Sequence, residues 1–358
     1  WLLEMQEKIK ELFNSIDAQT VLLKAPDPNF YYFSQLQAEH FAGNVLILRK
    51  GAKPLLLTTR FYSLPADAKK HLVAVQVEDR KHSLKILRDN LTGKRIGLNY
   101  GFVTKNYFAG LKKQLKGKKF FDVSKQLAAV RAIKTNAELG KIKKAVKITE
   151  QVMHGIPALF KKGMSEKQLA NAIEMGLREK ADNVVAFPPI VASGANGAVP
   201  HHLPGGKKIG KGFLLIDVGA KYGNYCADLS RTFFVGKAGE KEKRLYEKVF
   251  AVQQQAIGLM KPNAKCSEIF SFAAKQLEKE TGFPLIHGLG HGLGVEAHDF
   301  PGGFVESSNE SLKQGMVFTV EPAVYGKFGG IRIEDNIVVT KKGAARLSKV
   351  PGRLIELR

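Results

Sequence analysis

At 358 residues, with 44% hydrophobic and 25% charged residues, the chain has an ordinary globular composition and is long enough for two hydrophobic cores. No run approaches the roughly eighteen consecutive apolar residues of a membrane span, and two cysteines, Cys226 and Cys266, are too few for a disulfide framework, so reduced thiols in the cytoplasm are expected. The net charge of +23 would attract nucleic acid or other polyanions at low salt; the lysines read as widely spread, so the charge is taken to bear on solubility and non-specific association before function.

The opening WLLEMQEKIKELF has the period of an amphipathic helix, and Glu4 and Glu7 set it apart from the basic start of a signal peptide. The chain opens on Trp1, as expected of a sequence lacking its native start. Residues 1–126 read as one α/β domain. Alternation in NVLILRKGAKPLLLTT (44–59) predicts two strands about a Lys50-Gly51-Ala52 turn, and HLVAVQVE (71–78) and KRIGLNY (94–100) predict two more. With helical stretches between them, these predict a mixed sheet covered by helices. No catalytic constellation stands out here, and Tyr31, Tyr32 and Phe33 read as core or interface aromatics.

A second domain is expected over 127–358. Leu139, Ile142, Val146, Thr149, Val152 and Ile156 recur at helical spacing, and Ser165 with Gln168 forms a capping box that starts another helix. AFPPIVASGANGAVPHH has the proline and glycine density of a loop leading to a site. FLLIDVGAKYGNYCADLSRTFFVG (213–236) reads as strand, turn, strand; helical patterns return at 240–261 and 266–280, and strands close the chain.

Three places in this half carry chemistry. In the 213–236 hairpin, Asp217 and Asp228 interrupt apolar strands, and a two-residue turn at Tyr222-Gly223 would set them opposite each other. Facing carboxylates repel unless a cation or a proton lies between them; an Asp–Arg231 ion pair is the competing account. In VFTVEP and GGIRIEDNIVV, Glu321 and Glu334 repeat the pattern about a glycine-containing turn at 326–330, with a Glu334–Arg332 ion pair as the competing account. LIHGLGHGLGVEAHD (285–299) holds His287, His291 and His298 among glycines that disfavour a helix, so an extended stretch is expected. His287 and His291 then share a face, and His298 needs a bend to join them. Four acids with histidine carry too much charge for one zinc ion and suit two divalent ions, with oxygen-rich ligation leaning to Mn²⁺ or Co²⁺. Asp217, Asp228, His291, Glu321 and Glu334 would be the five ligands. Cys226 reads as a packing residue.

The ordered set D-x10-D, H-G-x-G-H-G-x-G, V-E-P and R-I-E-D resembles the methionine aminopeptidase, aminopeptidase P and prolidase family over about 127–358. The resemblance implies a pita-bread catalytic domain with a curved, mostly antiparallel sheet covered by helices. It also implies that Asp228 and Glu334 bridge two divalent ions, Mn²⁺ or Co²⁺ with Zn²⁺ or Fe²⁺ as alternatives. Glu321 matches the family's general base. His287 and His298 match histidines that contact substrate or stabilise the tetrahedral intermediate. His201, in VPHH, matches one that aids proton transfer or binds substrate, with His202 its adjacent rival; Arg332 is a further substrate-binding candidate. The added first domain is similar to the creatinase-like N-terminal domain of proline-specific members, and NFYYFSQ (29–35) looks like its strand-loop. The implied reaction is hydrolysis of Xaa-Pro, a metal-bridging hydroxide attacking the carbonyl before proline, by a cytoplasmic homodimer acting on a peptide or dipeptide with proline second. HDFPGG (298–303) lacks the arginine that many prolidases place shortly after this segment, so aminopeptidase P and prolidase both stay open. The alternative from another class is a non-catalytic pita-bread protein that binds nucleic acid or a protein partner.

Overall fold

The computed structural model describes residues 2–37, 41, 43–182 and 184–358, in two compact units, 1–131 and 132–358. Trp1, the first residue of the predicted opening helix, lies outside the described residues.

The first unit runs α1 (Leu2–Ser15), β1 (Thr20–Lys24), α2 (Pro28–Ser34), β2 (Val45–Arg49), β3 (Leu55–Thr58), β4 (Val73–Gln76), α3 (Arg80–Asn90), β5 (Arg95–Leu98), α4 (Lys105–Gln114), β6 (Lys119–Asp122) and α5 (Ser124–Ala132). Its mixed sheet has the order β4-β3-β2-β1-β5-β6, and the expected hairpin is β2–β3, with Gly51 left-handed at its turn. The central β1, TVLLK, is not visible as alternation, because both its faces are covered and it reads as one apolar run. NFYYFSQ is not the strand-loop expected from the resemblance. Asp27 accepts from the Asn29 N–H as N-cap and Pro28 opens the first turn, so 28–34 folds as the helix α2. Tyr31, Tyr32 and Phe33 are buried in it.

The second unit begins with α6 (Asn136–Leu159), α7 (Glu166–Arg178), β7 (Ile190–Ser193), β8 (Gly212–Val218), β9 (Lys221–Tyr222), β10 (Tyr225–Cys226) and β11 (Leu229–Val235). It continues through α8 (Glu240–Leu259), α9 (Cys266–Thr281), β12 (Gly290–Gly292), β13 (Asp299–Phe304), β14 (Val317–Val320), β15 (Ala323–Gly326), β16 (Gly329–Arg332), β17 (Asp335–Thr340), β18 (Gly343–Arg346) and β19 (Ile355–Leu357). A helix pair followed by an antiparallel sheet thus occurs twice. The sheets have orders β19-β11-β8-β7 and β13-β12-β14-β17-β18, with only the β11–β19 pairing parallel. Each helix pair covers its own sheet: Ile156 and Ile173 pack on Leu214 and Ile216 in one core, Val249 and Leu277 with Phe318 and Ile337 in the other. The predicted capping box of α7 is formed, and Thr135 with Glu138 makes a second one at the start of α6. The sheets meet where β11 runs beside Arg332–Glu334: Glu334 N–H donates to Ser230 O, and Arg332 N–H donates to Thr232 Oγ1. That seam holds the acidic side chains.

Candidate metal centre

The hairpin turn is Gly223-Asn224, not Tyr222-Gly223. Both residues are left-handed, at φ 56° and 70°, the geometry of a two-residue hairpin turn. The register therefore places Ser230 opposite Asp217, and Asp228 lies diagonally across. Moving a turn by one residue shifts the partner by two, which keeps the face. Asp217 and Asp228 still point the same way, joined there by Ser230. The Asn336 side chain holds the Asp228 backbone, accepting from its N–H and donating to its C=O.

In the second acidic pair, Val320 is paired with Asp335 and Ala323 with Arg332, a register that sets Glu321 opposite Glu334. The β15–β16 turn is only two residues, because Gly326 pairs with Gly329.

The histidine stretch forms a short strand, β12, with an irregular register against β13. Two of its glycines, Gly290 and Gly292, admit neighbouring backbone. A Cβ on Gly290 would collide with the Thr319 carbonyl, and one on Gly303 with the Gly290 carbonyl. Residues 294–298 then bend, and His298 stacks on His291 with ring centroids 3.7 Å apart. His291 Nδ1 is 3.1 Å from Gly292 O, so it carries the proton and leaves the Nε2 lone pair free for a ligand. That Nε2 lies 3.5 Å from Asp228 Oδ2 and 3.6 Å from Glu321 Oε1.

His287 is arranged differently. Its Nδ1 lies 2.7 Å from Gly288 O and its Nε2 2.9 Å from the Tyr325 hydroxyl, so both ring nitrogens are engaged within the protein. Burial pushes the His287 and His291 imidazoles down to about 4, so both are neutral at pH 7. His201 is exposed at the mouth of the cavity, whereas its neighbour His202 bonds to the buried Glu166 carboxylate at 2.8 Å.

Asp228, Glu321 and Glu334 crowd around His291. Burial pushes Asp228 well above the usual carboxylate range, reinforced by Glu334, Asp217 and Glu321. Glu334 moves the same way, by burial and then by Glu321 and Asp217. Glu321 is pushed up to about 8 by burial, with Arg332 opposing and Asp217 reinforcing the shift. Asp217 Oδ1 and Asp228 Oδ1 are buried with no hydrogen-bond donor among the described residues. One ligand atom each from Asp228, His291 and Glu334 lie within 4.8 Å of one another. Buried acceptors without donors, crowded carboxylates and an aimed imidazole lone pair are what a divalent cation satisfies. These residues fit metal. The cavity in front of them has a volume of about 440 Å³ and is also lined by His201, His287, His298 and Arg332.

Neither competing ion pair forms as expected. Arg231 points to the opposite strand face and pairs with Asp335 at 2.8 Å. Arg332 is buried and bonds to Asp217 Oδ2 at 2.6 Å, Ser230 Oγ at 3.0 Å, the Tyr325 hydroxyl at 2.9 Å and Pro200 O at 3.2 Å. Ser230 Oγ in turn donates to Glu334 Oε2 at 2.8 Å. One guanidinium thus ties two acidic side chains, the His287 partner and the backbone beside His201. Sequence reasoning missed Ser230, Tyr325 and Glu166. Ser230 could have been found two residues after Asp228 on the same strand face; the other two arrive by tertiary packing.

The profile of the creatinase/prolidase N-terminal domain matches residues 6–133, and that of metallopeptidase family M24 matches residues 140–341. An Xaa-Pro dipeptidase of Pyrococcus horikoshii is 33% identical over 98% of this chain and 99% of its own. Among solved structures, an Xaa-Pro dipeptidase from Bacillus anthracis has a TM-score of 0.89 at 27% identity, covering 100% of both chains. An X-Pro aminopeptidase from Thermotoga maritima has a TM-score of 0.88 at 27% identity, covering 97% of this chain and 99% of that one. The expected fold, an α/β N-terminal domain ahead of a pita-bread peptidase domain, is the fold observed. The chain belongs to metallopeptidase family M24 and carries the creatinase/prolidase N-terminal domain before its peptidase domain.

Proposed function

We propose that this chain hydrolyses the peptide bond before proline in dipeptides or peptides with proline second, using two divalent ions, Mn²⁺ or Co²⁺, as a cytoplasmic homodimer. Relatives named for Xaa-Pro cleavage support the substrate class. The observation that carries the chemistry is the group of acids around the His291 Nε2 lone pair, with Asp217 Oδ1 and Asp228 Oδ1 buried and lacking donors among the described residues. Asp217, Asp228, His291, Glu321 and Glu334 would hold the ions, which when bound supply an activated water and polarise the carbonyl under attack. The chain's own groups do the rest. Glu321 takes the proton of the attacking water and returns it to the proline nitrogen that leaves. His201 and His298, both open to the cavity, steady the carbonyl oxygen as charge develops on it. His287, engaged at both nitrogens, shapes the wall behind them. Arg332, buried and committed to four partners, holds this arrangement in place.

A binding-only protein is not favoured, since such a role leaves the crowding of buried carboxylates without a reason. The test is elemental analysis together with Mn²⁺-dependent hydrolysis of Ala-Pro and Ala-Pro-Ala. Two ions per chain and cleavage of at least one substrate are expected, and the pair reads how much chain the site accepts after proline. A protein loaded with two ions that cleaves neither would overturn the proposal.

A further inference from the structure

The positive charge is not evenly laid over the chain. Residues 80–119 carry twelve Lys or Arg against one acid, Asp89, a net +11 out of +23 for the whole chain. This stretch is α3, β5, α4 and the start of β6, all in the first unit. The two helices lie on the same face of the sheet, since Leu87 of α3 and Leu111 of α4 pack into one apolar cluster with Leu57, Ile96 and Leu98 of the strands. Their C-terminal ends are tied together: Arg88 Nη2 donates to Gln114 O at 3.1 Å, and Lys118 Nζ donates to Gly93 O at 2.7 Å.

Helices docked by their apolar sides turn their other sides outward, and here those sides are cationic. Arg80, Lys81, Lys85 and Arg88 are exposed on α3, Lys105, Lys112 and Lys113 on α4, and Lys116 and Lys119 just after it. At 11 and 10 residues these helices are each about 15 Å long. Side by side they offer a face about two helices wide, on which several phosphates of one duplex can be met at once, given one phosphate per roughly 1.7 Å of axis. Of the exposed large apolar side chains among the described residues, Tyr100 and Phe102 lie in the loop leading into α4, and none lies on α3, on α4 or in 111–119. A face that settles into a lipid bilayer carries such side chains to insert. Lysines on flexible stems act as point charges toward phosphate and read no base sequence.

We infer that the α3–α4 face of the first unit is a binding surface for the phosphate backbone of double-stranded nucleic acid, independent of base sequence and separate from the acidic site of the second unit. The experiment uses the full chain and a labelled duplex DNA of about 20 base pairs, followed by fluorescence anisotropy from about 50 to 200 mM salt. One variant combines Lys112→Glu, Lys113→Glu, Lys116→Glu and Lys119→Glu. A control of equal charge combines Lys143→Glu, Lys147→Glu, Lys241→Glu and Lys275→Glu, all exposed positions of the second unit. The patch variant is expected to bind at least about 30-fold more weakly and with a flatter salt dependence, and the control to change by about threefold or less. Arg80→Glu with Lys81→Glu and Lys85→Glu, on the other helix, carries the same expectation and replaces the first variant if that does not fold. Equal weakening by patch and control variants would assign the effect to net charge and overturn the inference. So would failure of the unaltered protein to bind duplex at about 50 mM salt, or tighter patch-dependent binding to phosphatidylserine vesicles than to duplex.

Discussion

Tyr325 links the acidic seam to a histidine. Because His287 gives its Nδ1 proton to Gly288 O, its Nε2 must accept, and the Tyr325 hydroxyl donates to it while accepting from Arg332 Nη1. Tyr325→Phe breaks both bonds and leaves Nε2 without a donor, at a cost of about 1–3 kcal/mol. We expect kcat on the cleaved substrate to fall about tenfold with metal content kept, because Asp217, Asp228 and Glu334 are untouched. Steady-state kinetics beside elemental analysis checks this; an unchanged kcat would mean that the orientation of His287 does not matter to turnover. Glu334→Gln has a different signature. It removes one of the crowded charges, so turnover and metal content should collapse while the chelated protein melts at a higher temperature than the chelated wild type. A lower melting temperature for the chelated variant would show that Glu334 is not held there against repulsion.

At the scale of the element, β12 depends on its glycines. Gly290 is at φ 155°, and a Cβ there would collide with the Thr319 carbonyl of β14, whose hydroxyl accepts from the His291 N–H. Gly290→Ala must push the two strands apart, at about 3 kcal/mol or more, and His291 moves with them. Loss of metal affinity in a folded but less stable protein is expected, checked by thermal melting and metal titration; wild-type affinity would show that the contact relaxes elsewhere. The same strand illustrates what the sequence made legible. The glycines reported an extended backbone and the odd spacing of His298 reported a bend, but whether they accommodate a ligand or a neighbouring strand is decided by chain far away in sequence. Asp217 and Asp228 were legible as a pair because strand periodicity fixes faces even when the turn is displaced by one residue. Their exact partners were not, since Gly-Asn supplies two left-handed residues as well as Tyr-Gly would supply one. β1 and α2 escaped for opposite reasons, one being buried on both faces and the other started by a local Asp-Pro cap inside an aromatic run.

Over the whole molecule, the acids and the histidines impose opposite pH dependences on the metal-free fold. Glu321 has an ordinary value of 4.5 and sits at about 8 when folded, and Asp228 and Glu334 move in the same direction. The folded state therefore holds more protons than the unfolded chain, and this contribution to stability is lost as pH rises toward 8. His287 and His291 go from 6.5 to about 4, so they bind fewer protons folded, and their contribution is lost as pH falls from 6.5 toward 4. Between 4 and 6.5 the two trends oppose each other. Above 6.5 the folded imidazoles stay neutral while the unfolded ones shed the last of their protons, a smaller opposing effect, so through its acids the chelated protein should lose stability from pH 6.5 to 8. Glu321 alone accounts for about 2 kcal/mol over that interval, equivalent to a fall in Tm of about 4–8 °C for a unit of this size. Reloading with Mn²⁺ or Co²⁺ replaces the protons between the carboxylates and should flatten the profile. Melting curves of chelated and reloaded protein at pH 6.5 and 8 decide the matter. A chelated protein whose Tm rises or stays level over that interval would mean that the acids are not forced together in the absence of cations, and the two-ion reading of the seam would fall with it.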